Sequence, residues 1–171
     1  MKTKAAVLYE AGSPLTVDEV ELGGPGPNEV LVRVAACGVC HSDLHILRGE
    51  WANFDPPIVV GHEGAGIVER VGKGVDTVAP GDPVVLGWKP RCGACRYCIA
   101  GQPHLCESPP LLAEGSSLTV AGTKANRMLT SAYFAEYAVV PKSVAIPIRR
   151  DMPLDLASLL GCAVMTGVGA A

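Results

Sequence analysis

The sequence predicts a mainly β fold, a barrel or sandwich of short strands, and three observations predict it. Short apolar runs recur along the chain with turn residues between them. Val30, Val32, Val34 and Ala36 alternate with Leu31, Arg33 and Ala35, the period of a half-buried strand. Gly (20) and Pro (14) make up about a fifth of the 171 residues, and they punctuate the runs instead of clustering.

Lys4 to Tyr9 and Leu15 to Leu22 read as strands divided by the turn Ala-Gly-Ser-Pro14, and Gly23-Gly-Pro-Gly-Pro27 as a tight loop. The alternating strand from Val30 runs into Cys37 and delivers Cys40. From His41 to Arg48, Leu44 and Leu47 lie three apart, which predicts a short helix with Ser42 and His45 on one face. Ile58 to Val60, Ile67 to Val71 and Pro83 to Leu86 are further strands, followed near the end by Phe134 to Val140 and Val144 to Ile148. Glu107 to Arg127 reads as a long loop. Asp151 as N-cap and Pro153 in the first turn predict a helix over Leu154 to Leu160.

The length suits about one domain with a real core, and a hydrophobic fraction of 49% agrees. A net charge of -3 with no basic run leaves no footprint for nucleic acid or an anionic membrane. Leu154 to Ala171 is the one candidate membrane span. Asp155, its glycines and the preceding Pro153 argue against that, so the segment is expected to be buried protein.

Cys92-Gly-Ala-Cys95-Arg-Tyr-Cys98 followed by Cys106 forms C-x2-C-x2-C-x7-C. Four thiols so close suit a closed tetrahedral zinc with no position left for chemistry, hence a structural role. An iron–sulfur cluster is an alternative, although no Pro follows Cys106. Disulfides are another, and they need an oxidising compartment; the N-terminus shows no apolar stretch of signal-peptide length. The negative charge of four thiolates on zinc must be offset by backbone N–H groups or by cations, and Lys89, Arg91 and Arg96 stand in or beside the loop.

Cys40, His62 and Cys162 also have ligand chemistry. Taken singly, each reads as a buried core residue. Together they make a Cys2His set with one open position, the ligand set of the catalytic zinc of alcohol dehydrogenase. Gly38-Val-Cys40-His-Ser42-Asp43, Gly61-His62-Glu63-x2-Gly66-x5-Gly72-x2-Val75 and the four-cysteine lobe follow one another in order. On these motifs the chain, from Val7 to Gly169, resembles the catalytic domain of the zinc-dependent medium-chain alcohol dehydrogenases. That fold is related to the GroES co-chaperonin, a partly open β-barrel with short helices and a zinc-binding lobe.

The resemblance implies a GroES-like catalytic domain over residues 1–150, with the lobe at 88–108, and a segment 151–171 that carries the last zinc ligand towards a Rossmann cofactor domain. It implies two zinc ions per chain, one catalytic and one structural. The catalytic one would be held by Cys40, His62 and Cys162, with Glu63 and Asp43 behind it, Glu63 counting with the metal-site residues. Asp43 would accept the ring N–H of His62, and as a carboxylate at a helix N-terminus it has a second reason to be there. Ser42 would bond the reacting oxygen, and His45 would end the proton relay at the cofactor ribose. His41 and Thr166 match cofactor-contacting positions, and Trp51, Trp88 and, less directly, Phe134 match the substrate pocket.

A branch of the family that oxidises a glutathione adduct of formaldehyde has an acidic residue where Trp51 stands, so that activity is disfavoured. Hydride transfer needs NAD(P), yet no G-x-G-x-x-G follows a strand here, and Gly167-Val-Gly169 is too short. The expectation is therefore a cytoplasmic alcohol dehydrogenase catalytic domain that acts on a small alcohol or aldehyde as part of a longer, homo-oligomeric enzyme and is inactive alone. The competing expectation is a stand-alone zinc-binding module. Cys37 and His104 receive no role.

Overall fold

The computed structural model describes residues 1–171 except Asn53, Pro110, Leu111, Ala113, Glu114 and Gly115. Two sheets dominate it. Strand β1 (Lys2–Leu8) pairs antiparallel with β2 (Thr16–Leu22), from Lys2 opposite Glu21 to Val7 opposite Thr16. β3 (Glu29–Gly38) pairs antiparallel with β5 (Glu63–Val71), and β4 (Ile58–Val59) joins β1. β6 (Pro83–Leu86), β7 (Leu118–Val120), β8 (Thr123–Lys124), β9 (Asn126–Arg127), β10 (Tyr137–Pro141) and β11 (Ala145–Pro147) complete the orders β8-β7-β2-β1-β4-β9 and β10-β3-β5-β6-β11.

The stretch before β10 stitches the sheets together. Ala6 N–H reaches Phe134 O at 2.8 Å, Glu136 N–H reaches Lys4 O at 3.0 Å, and Val34 N–H reaches Glu136 O at 2.9 Å. One segment thus satisfies backbone groups on β1 and β3 at once, and the two sheets curl into the nearly closed barrel the sequence predicts.

The start of β3 departs from simple alternation. Val30 and Val32 enter a core with Val68, Val84, Leu86, Tyr133 and Val140, while Leu31 enters a second core with Val7, Val20, Val59 and Val139. This strand is therefore buried on both faces until Arg33. Each such aliphatic side chain contributes roughly 1.5–3 kcal/mol on burial. β5 begins at Glu63, four residues before the expected Ile67, because Gly64, Ala65 and Gly66 lack strand-forming side chains yet pair with Cys37, Ala36 and Val34.

The expected loop 107–127 in fact holds β7, β8 and β9. Leu118 and Val120 are buried on one face of β7. The turn to β8 is Ala121-Gly122, both in the left-handed region with φ 48° and 77°, the two-residue hairpin geometry that Asn-Gly usually announces. Alanine in the first position hid it from the sequence.

Helix α1 (His41–Leu47) starts at Cys40 as N-cap and sets Ile46 into a third cluster with Leu8, Ile58, Val60 and Met128. α2 (Arg96–Ile99) lies in the cysteine lobe. α3 (Leu154–Ser158) has Pro153, not Asp151, at its N-cap; Asp151 is drawn off by a charge pair with Arg149, Nη2 to Oδ2 2.6 Å. α3 buries Ala157 against Ala65 and Val85. After one 3-10 turn over Leu159–Gly161 comes α4 (Ala163–Ala170), and no residue of it is buried, contrary to the expectation of a buried segment. No helix among the described residues is long and apolar enough to cross a membrane.

Candidate metal centres and proton path

Three separate pieces of chain converge on one cluster. β3 ends at Gly38, so Cys40 sits at the corner where strand becomes helix, as N-cap of α1. His62 lies on the link from β4 to β5, with Glu63 the first residue of β5. Cys162 follows Gly161, where a Cβ would come within 2.8 Å of Leu86 O; only glycine lets this turn lie against the end of β6. The ligand atoms of Cys40, His62, Glu63 and Cys162 all lie within 4.8 Å of one another. Glu63 lies within that same limit.

Asp43 organises this cluster from behind. Fully buried on α1, it accepts the Cys40 N–H at 3.0 Å on Oδ2 and the Gly61 N–H at 2.9 Å on Oδ1, and His62 Nδ1 lies 3.2 Å from that same Oδ1. Its two expected roles coexist, since the Cys40 contact caps the helix while the His62 contact orients the ring. A carboxylate accepts only, so His62 carries its proton on Nδ1 and leaves Nε2 as its ligand atom.

Burial pushes the Cys40 thiol up, but hydrogen bonds from the Ser42 N–H and hydroxyl and from His62 outweigh it and hold the thiol below its ordinary range. Burial pushes Cys162 up to about 11, helped by the charges of Cys40 and Glu63. Burial lowers His62, yet the Asp43 hydrogen bond and charge leave it raised overall. Two thiols, an imidazole and a carboxylate thus crowd a mostly buried space in which the second thiol resists ionising beside the first. That donor chemistry fits a divalent cation of borderline softness, zinc above all.

Cys92, Cys95, Cys98 and Cys106 form the second cluster, again with all ligand atoms within 4.8 Å. Cys92 Sγ and Cys98 Sγ are 4.0 Å apart, close to the edge of about 3.8 Å of a tetrahedron with arms of about 2.3 Å. All seven cysteines are free thiols. The N–H groups of Cys98 and Glu107 bring Cys95 down to about 6, while desolvation pushes Cys98 up to about 11. Of the two expected sources of compensation, backbone N–H groups and cations, it is the backbone donors that reach the sulfurs. Cys95 N–H reaches Cys92 Sγ and Cys92 N–H reaches Cys106 Sγ, each at 3.3 Å, whereas Lys89 bonds His104 O and Arg96 pairs with Glu107.

On α1, Ser42 is half-buried beside Cys40, and His45 stands one turn further, its ring 4.8 Å edge-on from exposed His41 and stacked at 5.3 Å on Trp51. His45 Nδ1 meets Glu50 Oε2, a partner the sequence reading did not single out. Its signal was available: an acid just past the end of the helix that carries the histidine.

The expected pocket aromatics part company. Trp51 stays beside His45, and Phe134 packs on the third core cluster behind α1. Trp88 lines a cleft of about 430 Å³ with Lys89, His104, Ile146, Leu160 and Met165. Thr166 is exposed on α4, its N–H on Cys162 O at 2.9 Å. Gly167 and Gly169 lie inside α4 and form no phosphate-binding turn.

Residues 26–150 match the family model described as the alcohol dehydrogenase GroES-like domain. The NDMA-dependent alcohol dehydrogenase of Amycolatopsis methanolica is 42% identical over 98% of this chain and 46% of its own length. The S-(hydroxymethyl)glutathione dehydrogenase of Komagataella pastoris is 40% identical over 100% of this chain and 47% of its own. The crystal structure of an alcohol dehydrogenase zinc-binding domain protein from Burkholderia ambifaria superposes with a TM-score of 0.91 at 37% identity, covering 99% of this chain and 48% of that one. The chain thus spans about half the length of the curated relatives it matches.

Proposed function

The chain belongs to the alcohol dehydrogenase GroES-like domain family, and from that membership we propose that it is the substrate-side half of a zinc-dependent, NAD(P)-linked alcohol dehydrogenase. Residues 1–150 are its catalytic domain, and 151–171 carry Cys162 towards a cofactor domain. The observation that carries the reading is the gathering of Cys40, His62, Glu63 and Cys162 within 4.8 Å by segments distant in sequence, beside Ser42 on α1.

Cys40, His62 and Cys162 would hold one zinc, with Glu63 able to approach as a fourth ligand, and the four lobe cysteines a structural one. Zinc at the first cluster supplies Lewis acidity, which makes a neighbouring alcohol easier to ionise near neutral pH. The hydride acceptor is a nicotinamide whose binding groups lie outside these residues, save for edge contacts at His41 and Thr166.

The chain's own work is to orient the alcohol and move its proton. Ser42 Oγ accepts the alcohol proton while passing its own outward, and His45 receives it at the solvent side, where its ring is one-third exposed. Trp51, stacked beside His45, narrows the approach and favours an uncharged alcohol over a large charged adduct.

The test uses the full-length enzyme, with reduction of NAD or NADP followed in the presence of a primary alcohol. Cys162→Ala should abolish turnover and remove one zinc while the lobe zinc stays. Turnover near the wild-type level with only the lobe zinc bound would sink the reading.

A further inference from the structure

The carboxylate beside His45 has no part in the proton path above. Glu50 lies three residues past the end of α1, and its backbone N–H bonds His45 O at 2.9 Å, which fixes the return of the chain over the helix end. Its two carboxylate oxygens are divided. Oε2 meets His45 Nδ1, and Oε1 faces Arg48 Nη1 at 3.8 Å. The His45 hydrogen bond, followed by the charges of His45, Arg48 and His41, holds this carboxyl below the usual range, so it is ionised at neutral pH.

An ionised carboxylate can only accept hydrogen bonds. Nδ1 of His45 must therefore be the donor, and in the neutral ring the lone pair is left on Nε2. Among the described residues no protein group bonds Nε2. His41 on one side and the Trp51 face on the other restrict how the ring turns. Asp43 treats His62 in the same way, through Nδ1, and leaves its Nε2 to the metal cluster.

We propose that Glu50 is a positioning residue for proton transfer: by accepting the Nδ1 proton of His45 it keeps Nε2 as the basic nitrogen that receives the proton from Ser42. The inference rests on the relay reading of Ser42 and His45 given above. It adds a third member to the path and assigns the tautomer in which the ring waits. Glu50 takes up no substrate proton; the proton goes to Nε2 and from there to water.

Long-range nitrogen–proton NMR of the imidazole rings in the 171-residue chain reads the tautomer directly. The wild type should show His45 as the Nδ1–H form. Glu50→Ala should shift it towards the Nε2–H form that a free imidazole favours, and Glu50→Gln, whose amide oxygen still accepts a hydrogen bond, should restore Nδ1–H. In the full-length enzyme Glu50→Ala should lower kcat roughly 3- to 10-fold with KM for the alcohol unchanged, a small part of what a positioned acid or base contributes, and Glu50→Gln should recover most of it. Retention of the Nδ1–H form in Glu50→Ala, or an unchanged kcat in that variant while His45→Ala is slow, overturns the proposal. An unchanged kcat in His45→Ala itself would instead overturn the relay reading, whatever the tautomer shows.

Discussion

Asp43 Oδ1 lies 3.2 Å from His62 Nδ1, and the same oxygen accepts the N–H of Gly61, the residue just before that histidine. One buried carboxylate oxygen therefore fixes both the backbone that leads into His62 and the ring itself, while the other oxygen caps the helix that begins beside Cys40. Two of the three Cys2His positions are tied to each other through a side chain that is not among them.

Asp43→Asn should accordingly weaken zinc at the Cys40 cluster by about 10- to 100-fold, the usual cost of losing a partner behind a metal ligand. An amide has one acceptor oxygen for three donors, and its NH2 group would face a backbone N–H of Cys40 or Gly61. The same change should cost roughly 1–3 kcal/mol of stability through an unpaired buried donor. Competition with a chromophoric chelator measures the first effect and denaturant unfolding the second. Loss of the lobe zinc instead would contradict the local role of Asp43.

Metal-replete chain should contain two zinc ions by elemental analysis, and Cys106→Ser should leave one, with Cys106 chosen because it is the buried member of its cluster. A single ion in the wild type would remove the Cys40 cluster from the argument. X-ray absorption at the iron edge in the purified chain would overturn the zinc assignment in the lobe.

The strands with β-branched alternation or clear flanking turns were legible in the sequence, as Pro83 to Leu86 and the stretch after Val30 show. So was the membership of the two side-chain clusters, because metal chemistry restricts residue type and motif order, and the structure gathers each set. What escaped had a physical reason. Gly64-Ala-Gly66 forms strand through its partners, not its side chains. Ala121-Gly122 makes a hairpin turn without Asn or Asp, and Arg149 captures the Asp151 that would have capped α3. The exposure of α4 was hidden because its composition is that of a core helix. Glu50 escaped because its meaning depends on where the chain turns after α1, and that is fixed by packing.

Cys37 gives a prediction in pH. Burial, reinforced by the charges of Asp43 and Glu63, pushes its thiol up to about 12 against an ordinary 9. A raised acid stays protonated in the folded state while the unfolded chain ionises, so its contribution is intact below pH 9 and is lost as pH rises towards 12. The bound is about 4 kcal/mol at the top of that window, at about 1.36 kcal/mol per pH unit. Urea unfolding at pH 8, 9 and 10 should show stability falling across the upper half of that range, and Cys37→Ala should flatten the fall. A slope unchanged by the substitution would assign it to other groups, the raised thiols of Cys98 and Cys162 first among them.

The relay itself is tested in the full-length enzyme. Ser42 stands half-buried at the start of α1 with its hydroxyl beside Cys40, so it is a hydroxyl placed to reach an alcohol at that cluster. Ser42→Ala should lower kcat roughly 10²- to 10⁴-fold, the range expected for removing a group that transfers a proton in the transition state. His45→Ala should cost less, because His45 is one-third exposed and water or buffer can take its place. Added imidazole should partly restore the His45→Ala rate and should do nothing for Ser42→Ala, where the break lies inside the pocket. Zinc content should be the same in both variants, since neither side chain belongs to a metal cluster. If Ser42→Ala keeps a near wild-type kcat with zinc intact, while a deuterium isotope effect shows hydride transfer limiting the rate, the alcohol proton must leave by a route that does not run along α1.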